Sequence, residues 1–480
     1  MSFLSDLVFE AGLVARSLGD YLSGGGLRLG ITGLSRSGKT VFLTALVNNL
    51  LAGARLPVFA ASAEGRIARA RLDPQPDDAV PRFAYEEHLA SLDARDRRWP
   101  ESTRRISQLR LTIDFESAGG WSGRSSSLAL DLVDYPGEWL LDLPLLDKSY
   151  SEWARETLGA SETPARAPLS AGWRSALSGL DPEGDANEDA ARRIAKLFTA
   201  YLRRARDDVY ALSTLPPGRF LMPGDLEGSP ALTFAPIPLY DSNAIKAGSM
   251  AAMMERRYEA YKTHIVRPFF RDHFARLDRQ IVLVDALSAL NSGPTALRDL
   301  ENALTEVMRA FRAGRSSRLA SVFRPRIDRI LFAATKADHL HHTSHDRLEA
   351  ILRALTGRAI ARVEGVGAEI DVIALAAIRA TREARIRQVG ETLNAIIGVP
   401  EKGETIGGQV FDGMVEAAVF PGELPADPNL IFEGEGIARP EGDNDWRFVR
   451  FRPPLTTRGA PAPQIRLDRA LQFLIGDRVA

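Results

Sequence analysis

A short apolar run, Leu27-Arg28-Leu29-Gly30-Ile31-Thr32, enters Gly33-Leu34-Ser35-Arg36-Ser37-Gly38-Lys39-Thr40 and leaves through Val41-Phe42-Leu43-Thr44-Ala45-Leu46-Val47. No other stretch restricts the fold as tightly. The first run reads as a buried strand and the last as a helix. The glycine-bounded turn between them has the G-x-x-x-x-G-K-[ST] spacing of a phosphate-binding loop. Its glycines let the backbone curl so that successive N–H groups point at phosphate oxygens. Lys39 can reach the β- and γ-phosphates, and the Thr40 hydroxyl is placed to ligate Mg²⁺. The helix opening near Gly38 aims its positive end at the same anion. Ser35, Arg36, Ser37, Gly38, Lys39, Thr40 and Val41 are therefore the expected phosphate cradle. A glycine-rich turn that binds nothing is the alternative, and the strand before and helix after the motif argue against it.

The next segments extend this start into an α/β domain. Residues 109–115 (L-R-L-T-I-D-F) alternate with period two, as a strand with one solvated face does. Ser117-Ala118-Gly119-Gly120 is turn chemistry, and residues 127–133 return as an interior strand. That hairpin puts one antiparallel strand into an otherwise parallel βα chain, which marks a Ras-like rather than a kinase-like P-loop domain. The returning strand runs into Asp134-Tyr135-Pro136-Gly137-Glu138-Trp139. An aspartate at a strand end followed by x-x-Gly fits an element whose carboxylate holds Mg²⁺ through water and whose glycine N–H meets the γ-phosphate. Glu138 stands where many Ras-like enzymes carry the Gln that orients water. A carboxylate there accepts a proton but repels phosphate, so slow intrinsic hydrolysis is expected, with stimulation by a partner or by dimerisation. Between residues 52 and 105, Pro57, Pro74, Pro76 and Pro81 read as loops around one helix at 83–93. Within that stretch Thr103 is the candidate first-switch threonine, closing on Mg²⁺ and the γ-phosphate, and Trp99 the candidate to lie against the nucleotide. An ordinary surface turn with a packed Trp is the competing reading. Arg36 or Arg104 can supply transition-state charge.

Residues 140–278 break the βα alternation. Stretches 149–158, 186–209 and 247–277 have helical period, whereas 215–238 is too rich in Pro and Gly for a helix. The second helix carries Arg192, Arg193, Lys196, Arg203, Arg204 and Arg206 on one side. That side reads first as a solvated face and second as a docking surface for acidic protein or membrane lipid. The βα rhythm resumes with a strand at 280–285, a helix at 295–311, and a strand at 328–334 ending in Thr335-Lys336-Ala337-Asp338. A carboxylate at this place accepts from the N1–H and N2 amino groups of guanine, a donor pair adenine lacks. The Lys336 stem can lie along the base. Thr335 stands where Asn is usual, and the motif still favours GTP over ATP. His339, His341, His342 and His345 have no cysteine or fixed ligand spacing to support a metal site. They read instead as an exposed helix start, with His339 flanking the base edge. A last strand at 369–375 leads into Ala376-Ala377-Ile378, where the Ala377 N–H can meet guanine O6. Beyond about residue 390, Pro and Gly punctuate short apolar runs; 446–451 alternates as a strand and 465–477 reads as a C-terminal helix that docks back.

With 61 basic and 62 acidic side chains among 480 residues, the chain offers no polyanion-binding surface, so no nucleic acid is expected. The absence of cysteine excludes disulfides, thiolate catalysis and Cys-based zinc sites. Residues 2–20 place Leu4, Leu7, Val8, Ala11, Val14 and Leu18 on one helical face. The opposite face carries more acid than base, which points to packing on the domain or a partner rather than on a membrane surface. No signal peptide and no run of about 18 apolar residues is present, so a cytoplasmic protein is expected.

Taken together, G-L-S-R-S-G-K-T, D-Y-P-G-E-W, P-G-R-F-L-M-P-G-D-L, L-V-D-A-L-S-A-L-N-S-G, T-K-A-D-H and I-R-L-D-R-A-L-Q-F-L-I-G-D resemble the YcjX family over nearly the whole chain. These are bacterial stress-associated P-loop proteins. The resemblance implies a Ras-like GTP-binding core, an inserted helical subdomain and a role in envelope stress. It also implies an integral membrane protein encoded nearby as partner, and through it a peripheral place at the inner membrane. The expected organisation is a discontinuous core (1–139 and 279–390), a helical insertion (140–278), and a small β-rich appendage with a C-terminal helix (391–480). The expected function is that of a slow GTPase switch holding GTP or GDP with Mg²⁺. Lys39, Thr40, Thr103 and Glu138 would serve the chemistry, and Thr40, Thr103 and Asp134 would surround the metal. The rivals are a scaffold that holds GDP without turnover and an ATPase or phosphotransferase of the P-loop class.

Overall fold

The computed structural model describes residues 26–34, 37–94, 96–101, 105–118, 125–207, 210–239, 245–312, 327–361, 368–388, 391–406, 408–432, 448–457 and 459–480. Ser35, Arg36, Thr103, Arg104 and the amphipathic stretch 2–20 lie outside these residues. β1 (Leu27–Gly33) is apolar and buried along its length because it runs through the middle of a seven-stranded sheet. The other strands are β2 (Ile67–Asp73), β3 (Ser107–Glu116), β4 (Ser125–Asp134), β5 (Arg279–Val284), β6 (Arg329–Ala334) and β7 (Glu369–Ala374). They lie in the order β2-β3-β4-β1-β5-β6-β7. β3 is antiparallel to both its neighbours, and every other pairing is parallel. This is a P-loop core of Ras-like form, with one strand running against the rest.

The helices that carry the packing are α1 (Lys39–Leu51), α2 (Tyr85–Asp93), α3 (Tyr150–Ser161), α4 (Ala167–Leu177), α5 (Glu188–Arg206), α6 (Met250–Tyr261), α7 (Pro294–Arg312), α8 (His345–Ala361) and α9 (Leu467–Ile475). They cover both faces of the sheet, as the continuous apolar strands require. Ile281 and Leu283 of β5 join one apolar cluster with Phe42 and Leu46 of α1 and Leu471 and Leu474 of α9. Val282 and Val284, one residue out of phase, join the other with Leu304 of α7 and Leu352 of α8.

Two departures from the sequence reading occur at the sheet edge. Residues 52–105 read as loops around a single helix, but they also contain β2. Its alternation is carried by arginines rather than apolar side chains, and these find carboxylates on the next strand. Arg69 Nε lies 2.8 Å and Arg71 Nη1 2.6 Å from Asp114, and Thr112 donates to Asp73 at 2.5 Å. For the same reason the polar face of β3 is not the solvated one expected, since Arg110 pairs with Asp131 at 2.6 Å.

The insertion holds helices that the pattern of residues 140–278 does not disclose: a single turn at Gly218–Leu221, within the stretch read as too rich in Pro and Gly for a helix, and α4. Pro168 and Gly172 mask its period, while Leu169, Trp173 and Leu177 recur every four residues and are buried. Trp173 stacks on Tyr201 of α5 at 5.7 Å, and Trp153 of α3 on Tyr258 of α6 at 5.0 Å. These rings are continuous with the sheet through Trp139 and Phe269, so insertion and core share one apolar cluster.

Toward the C-terminus, β8 (Arg382–Gln388), β9 (Glu391–Gly398) and β12 (Ala417–Val419) form an antiparallel sheet, and β10 (Thr405–Ile406) and β11 (Gln409–Val410) a short hairpin. That small sheet begins at Arg382, ahead of residue 391. Of the alternating run at 446–451, the described residues 448–451 form no strand. β9 is already paired on both edges, so Phe451 makes a single bridge to Pro400 while Val449 and Phe451 still point into a small core with Ile396. Residues 446 and 447 lie outside the described residues. α9 docks back through Arg279, which is 1% exposed and donates to both Asp477 oxygens at 2.5 and 2.6 Å. Among the described residues no helix is long and apolar enough to cross a membrane.

Candidate functional site

A cavity of about 550 Å³ opens at the C-terminal ends of the parallel strands, the place where open α/β sheets bind ligands. Ser37, Gly38, Lys39, Thr40, Val41, Trp99, Glu138, Lys336, Asp338, His339 and Ala377 all line it. Asp134 and Gly137 lie directly beneath, and the expected Ser35, Arg36 and Thr103 are outside the described residues. Sequence positions spread over more than three hundred residues thus converge because all but Trp99 follow a strand of the same sheet.

At one end the chain leaves β1, turns through Gly38 in a left-handed conformation (φ 77°) and enters α1. No side chain caps that helix and no acid occupies its first turn, so its N–H groups are left for an anion. Lys39 Nζ sits 3.0 Å from Asp134 Oδ1. Asp134 is fully buried, and neither of its oxygens accepts a hydrogen bond from a described residue. A buried carboxylate with unused lone pairs, paired through Lys39 to the start of α1 where Thr40 is also buried, suits the water shell of a hard divalent cation.

The segment after Asp134 is pressed onto the phosphate loop. A Cβ on Gly137 would stand 2.2 Å from the Gly33 carbonyl oxygen, so only glycine fits there. Glu138 follows, 7% exposed, and Arg206 Nη1 lies 3.5 Å from its Oε1. This corrects the reading of Arg206 as part of a solvated basic face. Arg192, Arg193, Lys196, Arg203 and Arg204 are exposed, whereas Arg206 is turned into the cavity wall. A signal was available: Arg206 follows Phe198 and Leu202 at steps of four, which places it on the apolar side of α5.

The Pro/Gly-rich insert clamps the same segment from the far side. Gly218 N–H donates to Asp142 Oδ1 at 2.7 Å, and Tyr261 OH to Asp142 Oδ2 at 2.6 Å. Trp139 Nε1–H donates to the Met222 carbonyl at 3.1 Å, and the Arg219 guanidinium lies over the Trp139 ring. Burial raises the Asp142 carboxyl to about 6 against the pull of these two donors.

At the opposite end β6 runs into Lys336, itself left-handed at φ 62°, whose ammonium pairs with Asp285 at 2.5 Å. Asp338 is 4% exposed; its Oδ2 accepts from Ala380 N–H at 2.8 Å and its carbonyl accepts from the Thr381 hydroxyl. The aspartate is thereby fixed to the loop that carries Ala377. His339 is buried with its ring on Phe451 at 5.4 Å, and burial lowers its pKa. His341 and His345 are buried as well and lowered for the same reason, leaving His342 alone exposed among the four. The region is therefore not an exposed helix start. His342 Nδ1 lies 2.7 Å from Glu383, and the ligand atoms of His341, His342 and Glu383 fall within 4.8 Å of one another.

Asp285 and the appendage residues Glu401, Glu404, Phe448, Arg450 and Phe451 also line the cavity and are missed by sequence reasoning. No local pattern marks the appendage residues, because long-range docking brings them there. Trp99 Nε1–H donates to the Phe451 carbonyl at 2.7 Å, Arg97 Nε–H to the Pro453 carbonyl at 2.5 Å and Arg452 to Asp96 at 2.8 Å.

With this geometry in place, the comparison with known proteins gives a family whose model, the YcjX-like family (DUF463), matches residues 27–479. The chain belongs to the YcjX-like family. "Ras-like GTPase YcjX" of Escherichia coli (strain K12) is 40% identical over 465 residues, covering 94% of this chain and 96% of the relative. "Ras-like GTPase YcjX" of Shewanella oneidensis (strain MR-1) is 35% identical over 480 residues, covering 94% of each. The YcjX-like family match therefore spans both the P-loop core and the insertion.

Proposed function

We propose that this protein binds GTP and hydrolyses it slowly to GDP and phosphate, as a nucleotide-dependent switch in the bacterial envelope stress response. The observation that carries the reading is Asp338, buried at the end of β6 in the same cavity as Lys39. Its position suits a carboxylate that accepts from both guanine donors, and the loss of that donor pair is what would exclude adenine. The names carried by the two relatives support the same reading.

In this proposal the loop around residues 37–41 and the start of α1 hold the phosphates, and Lys39 leaves Asp134 to bridge the β- and γ-phosphates. Thr40, Asp134 and the first-switch Thr103 would hold Mg²⁺, which supplies positive charge to the phosphate oxygens when bound. Gly137 N–H meets the γ-phosphate, and Glu138 positions the attacking water. Loss of the γ-phosphate releases residues 134–139, and the insert at 217–222 that clamps them transmits the change. An integral membrane protein is the proposed partner, which would hold the chain at the inner membrane.

Titration calorimetry with GTP, GDP and ATP in the presence of magnesium tests the proposal, alongside single-turnover hydrolysis by the wild type and Lys39→Ala. GTP and GDP should bind, ATP should not, and Asp338→Asn should lose the preference. Equal binding of ATP, unaffected by Asp338→Asn, assigns the site to the ATPase class instead. A second reading, a GDP-holding scaffold, is favoured by the carboxylate of Glu138 so near the phosphates; GTP binding without Lys39-dependent phosphate release would select it.

A further inference from the structure

We propose that Arg206, at the end of α5 in the helical insertion, is the catalytic arginine of this site, supplied in cis to the γ-phosphate during hydrolysis. The inference rests on the GTPase reading and adds to it a residue from outside the P-loop core.

The electrostatics of Glu138 make such a group necessary. A carboxylate beside the γ-phosphate raises the barrier by like-charge repulsion, unless a cation is shared between them. Arg206 stands where that cation is needed, 3.5 Å from Glu138 Oε1 and in the wall of the same cavity. The separation is an ion pair without a hydrogen bond. A planar guanidinium has five N–H donors, so it can keep Glu138 on one edge and take a phosphate oxygen on another. During the reaction the water oxygen bonds to Pγ while the bond from Pγ to the bridging oxygen breaks. The electron pair of that bond stays on GDP; one water proton remains on the new P–OH and the other passes to a γ-oxygen, so both leave with inorganic phosphate as H₂PO₄⁻. Negative charge grows on the bridging and γ-oxygens as this happens, and a fixed guanidinium stabilises it most at the transition state.

Arg36 and Arg104 lie outside the described residues, and among those described the other arginines near the site are committed elsewhere. Arg219 is stacked on Trp139, and Arg450 is paired with Glu404 at 2.7 Å on the appendage side. Arg206, by contrast, is partly exposed toward the cavity and makes no hydrogen bond to another described residue. Its backbone is nonetheless rigid, because Tyr201, Leu202 and Ala205 are each buried to 2% exposure or less. The insertion therefore acts as a mount that holds the guanidinium without help from a partner protein.

The test compares wild type, Arg206→Ala and Arg206→Lys in single-turnover GTP hydrolysis, GDP binding, and binding of the transition-state analogue GDP·AlF₄⁻, with thermal melting as the check on folding. Both substitutions should slow hydrolysis by about 10³-fold, the scale of a lost arginine finger. GDP affinity should hold while AlF₄⁻ recruitment is lost, and free guanidinium should restore part of the Arg206→Ala rate. Unchanged hydrolysis and AlF₄⁻ binding in Arg206→Ala would overturn the proposal. So would parallel losses of rate and GDP affinity that Arg206→Lys repairs, since that pattern belongs to a residue that only holds Glu138 in place. A wild type that binds GTP but releases no phosphate removes the GTPase reading itself, and this assignment with it.

Discussion

Asp142 offers a sharp test of how the insertion is held to the core. It is 2% exposed, and its two oxygens accept from Gly218 N–H and Tyr261 OH. Burial carries its pKa from 3.8 to about 6. A rise of about 2 in pKa is worth about 3 kcal/mol of linked free energy. The folded carboxyl grips its proton more tightly than the unfolded one. The proton's contribution to stability is therefore full below about pH 4 and lost as the pH rises to about 6. Above that pH the folded protein carries a buried carboxylate. Asp142→Asn keeps an acceptor for Gly218 N–H, gives Tyr261 an amide partner, and removes the titration. The unfolding free energy of Asp142→Asn minus that of the wild type should rise by about 3 kcal/mol between pH 4 and pH 7, then level off. Urea denaturation of both proteins at matched pH values measures the difference directly, and groups common to both cancel. A difference that is flat or falls with pH would refute the argument that burial dominates this carboxyl. Asp142→Ala is the companion variant, because it leaves two buried donors unpaired at about 1–3 kcal/mol each.

Further outcomes follow from the same geometry. Lys39→Met strands the Asp134 carboxylate and should lower the unfolding free energy of the nucleotide-free protein by about 3–5 kcal/mol. Adding Asp134→Asn should recover most of that, and a denaturation midpoint unmoved in Lys39→Met would count against the buried pair. Gly137→Ala drives a methyl into the Gly33 carbonyl, costing about 1–3 kcal/mol. Calorimetry should then show weaker GDP binding, and wild-type affinity would mean that the segment and the loop are not in contact when nucleotide is bound. Arg279→Met removes the charged bonds to Asp477 and the bond to the Leu474 carbonyl, for about 2 kcal/mol. Amide exchange should quicken first in α9, and uniform exchange across the sheet would indicate that the helix is anchored elsewhere.

What could be read from the chain alone was whatever sits within a few residues of a strand end. Gly38, Lys39 and Thr40 after β1, Asp134 and Gly137 after β4, and Asp338 after β6 each combine a distinctive residue type with a local turn. The parallel order of those strands then brings them together without further instruction. Groups delivered from elsewhere were opaque. Arg206 looks like one more basic residue in a charged helix until α5 is seen to point its last turn inward. Glu401, Glu404 and Phe451 belong to an appendage whose docking depends on surface fit. β2 was hidden by composition, since Arg69 and Arg71 alternate with small residues and its apolar side, Ala70 and Leu72, is only partly buried. The histidines misled in the opposite direction: polar residues near a helix start suggest exposure, yet packing against Phe451 and the loop at 376–381 buries His339.

The hydrogen bond from Trp99 to Phe451 joins residues 352 apart in the chain, and its neighbours likewise fasten residues 93–97 to 452–456. These ties have a consequence for the order in which the protein comes into being. Synthesis runs from the N-terminus, so the phosphate loop leaves the ribosome well before the appendage wall of its pocket. A nascent chain that has just released Asp338 carries the loop and that carboxylate but lacks Glu401, Glu404 and Phe451, and the indole N–H of Trp99 has not yet met its acceptor. The pocket is therefore finished only once the appendage has been made and has docked. A copy that stops short of residue 448 leaves this pocket open on one side.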